Sequence, residues 1–238
     1  MIYYSLPKRP ADGEKSIKVF DVKSYFPDIA RNPTNLDSKC LLFVSAGYSY
    51  TIGIVKDSLP TVYKNYAEDC KKGYNLQASG SYFFWKHIGI GLDYSFFRSD
   101  NHLDNAQLGS SNGALRAAQV KDRITVQYIG PSLCDRMVSL NKKSSILSEV
   151  GIGYFSFKDE GHFYWPFTVD GSSMGAFFGI KAFHEIMPNL TLGLNLKYFE
   201  GVLRTATVVQ NGMTQELKKI DASLSRLDIS LGASLRIF

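Results

Sequence analysis

The residues of this 238-residue chain with the chemistry for catalysis or metal binding are four histidines, three cysteines and a thin scatter of carboxylates. His87, His102, His162 and His184 show no HxH, HExxH or His/Cys ligand spacing, so no metal site is expected. Cys40, Cys70 and Cys134 form no CxxC, and three thiols cannot all pair within one chain. Buried or rim thiols are expected instead. A nucleophile with its base needs a histidine near a carboxylate and a hydroxyl. His162, between Glu160 and Ser172, is the one histidine with such neighbours, and a solvated loop histidine is the plainer reading. Gly151-Ile152-Gly153 lies within an extended run and opens no helix, which excludes a phosphate loop. No catalytic residue, metal or cofactor is therefore expected, and the chain reads as non-enzymatic.

A second set of ionisable residues is more telling by its phase. Asp93, Arg123, Glu149, Lys181, Lys197, Asp228 and Arg236 are assigned to one phase of segments in which large apolar residues alternate with Gly, Ser and few charges. Between Leu190 and Phe199, Leu190, Leu192, Leu194, Leu196 and Tyr198 share one face while Thr191, Gly193, Asn195 and Lys197 take the other. The last segment sets Leu227, Ile229, Leu231, Ala233, Leu235 and Ile237 against Asp228, Ser230, Gly232, Ser234 and Arg236. A period of two means strand.

Eight such segments follow one another. They run at about 41–53, 74–85, 88–97, 121–134, 146–157, 173–182, 190–199 and 227–237. In the fourth, Ile124, Val126 and Tyr128 are assigned to the apolar face, with a bend at Gly130-Pro131. Connections after the first, third, fifth and seventh segments are long and polar, while those after the second, fourth and sixth are short; Lys86-His87 alone close the 74–97 hairpin. Residues 1–38 differ in texture, with Pro7, Pro10, Pro27 and Pro33 breaking a charged stretch around one strand-like run, Ser16 to Val22. They read as a polar periplasmic lead-in, a linker or the stump of a preceding domain, ahead of a single barrel domain spanning 39–238. Met1 to Pro10 lacks the apolar run of a secretory signal, so an export signal is expected upstream.

Formal charge is +5 and mean hydropathy −0.11. The cations are scattered, which argues against nucleic acid. The hydropathy does not exclude a membrane, because a spanning strand needs only about 9–11 residues and shows half of them to lipid. The face bearing Gly47, Gly89, Gly91, Gly151, Gly153, Gly175, Gly179, Gly193 and Gly232 suits the interior of an eight-stranded barrel, which has room for small side chains. Its nearly balanced charges are expected to form a connected lumen network, since each buried charge needs a partner. The apolar face then meets lipid. Tyr48, Tyr50, Tyr74, Tyr94, Phe96, Tyr154 and Tyr198 gather at the extracellular end as an upper aromatic girdle, and Tyr82 and Phe84 mark the other end.

From about residue 39 onward the chain resembles the small eight-stranded outer-membrane barrels of the OmpA/OmpX type and the broad outer-membrane β-barrel families of Gram-negative bacteria. Tyr128-Ile129-Gly130-Pro131-Ser132-Leu133 and the terminal Phe238 are similar to features of those families. The resemblance implies a closed antiparallel up-and-down transmembrane β-barrel, all-β, monomeric and integral to the bacterial outer membrane. It implies insertion by the barrel-assembly machinery through the C-terminal strand, with Phe238 as the signal, although Ser234 and Arg236 stand where that signal carries apolar residues. His162, Phe163, Tyr164, Trp165 and Phe167 mark an extracellular loop that contacts a protein or glycan or dips into the membrane interface, as exposed aromatics commonly do, or else folds over the mouth or extends the upper girdle. The expected role is anchoring surface loops for envelope structure or adhesion. A rim-active enzyme and a soluble lipocalin-like barrel are the alternatives.

Overall fold

The computed structural model describes residues 38–53, 61–109, 115–139, 143–162, 165–187 and 190–237. Nine strands form one antiparallel sheet: β1 (Cys40–Thr51), β2 (Lys72–Phe83), β3 (Ile88–Gly109), β4 (Leu115–Val138), β5 (Ser144–His162), β6 (Pro166–Met187), β7 (Leu190–Gln210), β8 (Met213–Ser223) and β9 (Arg226–Ile237). Each pairs with its neighbour in sequence, except that β9 skips β8 to pair with β7 and with β1. The ring β1 to β7 plus β9 is thus a closed eight-stranded barrel with no unpaired edge, the form that satisfies every backbone group without water. β8 stands outside the ring and pairs with the far half of β7.

Strand length is where structure and expectation part. The long connections after the third, fifth and seventh segments are largely continued strand: β3 and β4 stay paired to Gly109↔Leu115, β5 and β6 to His162↔Pro166, and β7 and β8 to Gln210↔Met213. Twenty-two residues of β3 are far more than the roughly 9–11 that cross a bilayer. About 12 therefore project beyond it, or about 30 Å at roughly 3.4 Å per residue and the usual barrel tilt. Across β3, β4 and β5 the outward residues of this extension include Asp100, His102, Arg123, Lys158 and Glu160, as a wall standing in water favours. The turn joining β7 to β8 is Asn211-Gly212, with φ of 51° and 74°, the left-handed pair that a tight hairpin demands.

The connection after β1 holds a helix the alternation does not reveal, α1 (Thr61–Cys70). Tyr63 and Tyr66 share one of its faces and pack with Leu103 of β3 and Val120 of β4, above the membrane. Its C-terminal turn is pinned by Lys71 to Glu68 at 2.8 Å and by the Thr51 amide donating to the Lys71 carbonyl at 2.8 Å.

The fourth strand takes the opposite phase from the one assigned above. Val126 and Tyr128 point inward, with Tyr128 fully buried, while Ile129 and Leu133 face out at 48% and 60% exposure. Both phases of this segment carry apolar residues, so period alone could not choose. Space chose: the Tyr128 hydroxyl lies 2.6 Å from where side chains on Gly130 and Gly153 would begin. Those two glycines leave a slot only an inward ring fills. The Ser16 to Val22 run and the rest of the lead-in up to residue 37 lie outside the described residues.

Candidate functional site

The barrel interior is layered. Nearest the short turns, Leu41, Phe43, Phe83, Cys134, Leu147 and Phe183 form an apolar floor. The Arg136 guanidinium lies 4.0 Å above the Phe83 ring. Toward the mouth, Phe97, Val126, Tyr128, Phe155, Phe177, Phe199, Leu203 and Leu224 form an aromatic plug. Tyr128 meets Phe155, Phe177 and Phe199 edge-on at centroid distances of 4.9, 5.5 and 5.1 Å, the arrangement aromatic quadrupoles favour. Gly175 makes room for Phe155, whose ring would lie 2.5 Å from a Cβ there.

Between floor and plug sit the charges. Lys197 reaches Asp93 at 2.6 Å and Glu149 at 3.4 Å; Lys181 reaches Glu149 at 2.6 Å and Asp93 at 3.8 Å. Two acids and two lysines from β3, β5, β6 and β7 thus close a neutral square, every member at most 2% exposed. Ser132 and Ser79 add hydrogen bonds to Asp93 and from Lys181. Lys197 also lies 4.2 Å from the Phe177 ring.

Asp228 belongs to a separate neutral cluster. It pairs with Arg226 at 3.1 Å and accepts from Ser49 and Gln77 at 2.6 and 2.8 Å. Gln77 accepts from Asn195, and Asn75 donates to Ser49. The Arg226 guanidinium spans 4.4 Å to the Phe199 ring, tying this cluster to the plug. Arg226 is an addition to the expected set, although it shares the phase of Asp228 and Ser230. The last strand begins one residue before the alternation that marks it. The inward phenylalanines escape notice for a related reason. Phe155, Phe199 and Phe183 stand two residues beyond Gly153, Lys197 and Lys181, on the face that reads as small or charged.

Arg123 does not join the lumen. The reversed phase of β4 turns it outward, where it pairs with Asp100 at 2.8 Å and Glu160 at 3.8 Å at the foot of the extension. With Arg98 on Asp100 and Lys158 on Glu160 it makes a ladder of exposed ion pairs across β3, β4 and β5. Arg236 lies in β9, its side chain outside the described residues, as is Phe238.

On the outer surface the apolar phase forms a continuous exposed band, including Val44, Leu92, Val150, Leu194 and Leu231. Tyr48, Tyr50, Tyr74, Tyr94 and Tyr154 project from its upper margin at 37–52% exposure, with Phe96 and Tyr198 half-buried beside them. Tyr82, Phe84 and Trp85 project at the lower margin. Such a band with two aromatic borders is what a hydrocarbon slab bounded by headgroups selects.

His162 ends β5 as an exposed residue and hydrogen-bonds neither Glu160 nor Ser172 among the described residues. Glu160 is instead engaged by Lys158 at 2.6 Å, which holds its carboxyl below the usual range. Trp165 is 59% exposed, Phe167 half-buried against the hairpin, and Phe163 and Tyr164 lie outside the described residues. Among the described residues no three His, Cys, Asp or Glu side chains converge as metal ligands, and Cys40, Cys70 and Cys134 are free thiols.

No family model and no curated protein matches the chain. Among solved structures, a major outer membrane protein from Thermus thermophilus superposes with a TM-score of 0.54 at 16% identity, covering 83% of this chain and 99% of that one. Neisserial surface protein A gives 0.48 at 10% identity over 84% of this chain and 98% of that one. The outer membrane protease OmpT from Escherichia coli gives 0.49 at 7% identity over 87% and 99%. A closed eight-stranded ring, a lumen filled by side chains around buried charge clusters and a lipid-facing band bordered by aromatics give this chain the outer-membrane β-barrel fold.

Proposed function

We propose that the protein is a non-enzymatic integral component of the bacterial outer membrane whose barrel anchors a rigid extracellular wall for surface contact. The observation that carries the reading is the continuation of β3 to β7, with β8, as a paired sheet beyond the apolar band. A sheet held by main-chain hydrogen bonds presents its side chains at fixed positions, which favours recognition because little conformational freedom is lost on binding. The filled lumen supports the same reading, since floor, charges and plug occupy the volume through which a solute would pass. The partner class is an extracellular protein or glycan that meets the polar outer face and the exposed Trp165. Assembly through β9 by the barrel-assembly machinery and action as a monomer complete the proposal.

The test shortens the wall and spares the barrel. Arg98 and Thr125 face each other across β3 and β4, so a two-residue turn joining them removes the hairpin above. Cells displaying the shortened protein should insert it normally and lose adhesion to an array of matrix proteins and glycans that the full-length form retains. Equal adhesion by both forms, or none by the full-length form, would defeat the reading.

A further inference from the structure

Beneath α1, two carboxyl groups and a thiol are brought together outside the membrane, five residues beyond Tyr154 along β5. Asp122 of β4 accepts a hydrogen bond from the Tyr66 hydroxyl at 2.7 Å. Asp159 stands on the adjoining strand, opposite Ile124. One of its carboxyl oxygens is buried and has no hydrogen-bond partner among the described residues. Cys70, at the end of α1, lies within electrostatic reach of both acids. Glu160, next to Asp159, turns outward to Lys158 and Arg123.

Burial, then the charges of Asp122 and Glu160, push the Asp159 carboxyl up to about 7. Burial and Asp122 push the Cys70 thiol up to about 12, with Asp159 and Asp69 adding to the rise and the Tyr66 hydrogen bond opposing it. Burial raises the Tyr66 phenol further, together with its bond to Asp122 and the neighbouring Cys70. Tyr66 and Cys70 therefore stay neutral near pH 7, and within this cluster it is Asp159 that changes charge there.

We propose that α1 is a proton-controlled cap on the extracellular wall: it stays docked while Asp159 carries its proton, and lifts when both carboxylates are charged. On deprotonation Asp159 gives its proton to water, leaving two like charges with no cation dividing them among the described residues. Such charges demand hydration. Admitting water means parting α1 from β4 against the packing of Tyr63 and Tyr66 on Leu103 and Val120 and the Tyr66–Asp122 hydrogen bond, while the Thr51–Lys71 and Tyr50–Glu68 bonds keep the C-terminal turn of α1 as the hinge. Lifting uncovers that apolar patch on the inner face of the wall. The cap is defined by these contacts and does not depend on what the wall binds.

Hydrogen exchange read by mass spectrometry, on the full chain in lipid nanodiscs from pH 5.5 to 8.5, tests the cap. Exchange is corrected for its intrinsic pH dependence, with the β4 amides as internal reference for an intact barrel. Protection of residues 61–70 should fall roughly tenfold around pH 7, a step typical of sub-global opening. Asp159→Asn should hold the low-pH protection throughout, and Glu160→Gln should keep the transition. Protection that stays flat in the wild-type protein, or the same transition in Asp159→Asn, would overturn the proposal.

Discussion

Glu149 accepts from Lys181 and faces Lys197, so Glu149→Ala leaves two buried ammonium groups to share Asp93. Removing one partner of a buried pair costs about 3–5 kcal/mol, because the uncompensated charge cannot reach water. Denaturant unfolding in lipid vesicles should show that loss, and a loss below about 1 kcal/mol would mean a hydrated lumen. Arg123→Ala, by contrast, removes only exposed pairs and should cost about 0–1 kcal/mol. The Tyr128 hydroxyl is buried without a partner among the described residues. Tyr128→Phe should therefore leave stability unchanged or raise it by up to about 1 kcal/mol, while Tyr128→Ala empties the centre of the plug at about 3–5 kcal/mol. Asp159 sets a pH dependence of definite sign. Its carboxyl ordinarily titrates at 3.8 and here at about 7, so between those values the native protein holds a proton the unfolded chain has released. Stability then falls as pH rises through that window. The full difference would be about 4 kcal/mol, and partial solvent access reduces it to about 1–2 kcal/mol. Asp159→Asn should flatten this slope between pH 4 and 8 in unfolding titrations; an unchanged slope would contradict the burial of this carboxyl.

At the scale of elements, each strand serves two solvents with one backbone. β7 faces lipid with Leu192, Leu194 and Leu196, faces the lumen with Asn195 and Lys197, then carries on into water. Leu194→Arg near the middle of the apolar band should cost about 2–4 kcal/mol in a bilayer, the penalty for a cation at that depth. A negligible change in vesicle folding titrations would sink the lipid-facing assignment. Farther along, the hairpin to β8 depends on Asn211 and Gly212 holding left-handed φ values of 51° and 74°. Gly212→Val places a β-branched side chain where such residues rarely sit, at about 1–2 kcal/mol. It should raise exchange of the β8 amides selectively and leave the barrel's melting unchanged.

At the scale of the whole molecule, the floor and plug enclose the charge clusters from both ends, so a conducting path would need several rings to move together. Planar-bilayer recording of the monomer should show no stable large conductance, and a steady open level would refute the filled lumen. The closed ring also separates the labours of the fold. Backbone pairing all round satisfies the membrane segment, while the wall above it is an open sheet, with α1 against its β3 side and β8 at the other.

The ring strands, their number and the lipid-facing phase of all but the fourth were legible from residue order, because a period of two on a surface between lipid and lumen is a local pattern. Leu190 to Phe199 carries it without ambiguity. The same alternation placed Asp93, Glu149, Lys181, Lys197 and Asp228 on the inner face. The β7–β8 hairpin was read as a long polar connection: Asn211-Gly212 is a local turn signal, but the polar residues around it concealed a strand that faces water on its outer side. Tertiary structure alone decided the phase of β4, where Val126 and Tyr128 compete with Ile129 and Leu133. Only the slot left by Gly130 on β4 itself and Gly153 on the adjoining β5 distinguishes them, and with that choice Arg123 left the lumen. It also decided which inward charges meet: Asp93 and Lys197 are 104 residues apart, and closure of the ring, which no local period encodes, sets them 2.6 Å from one another.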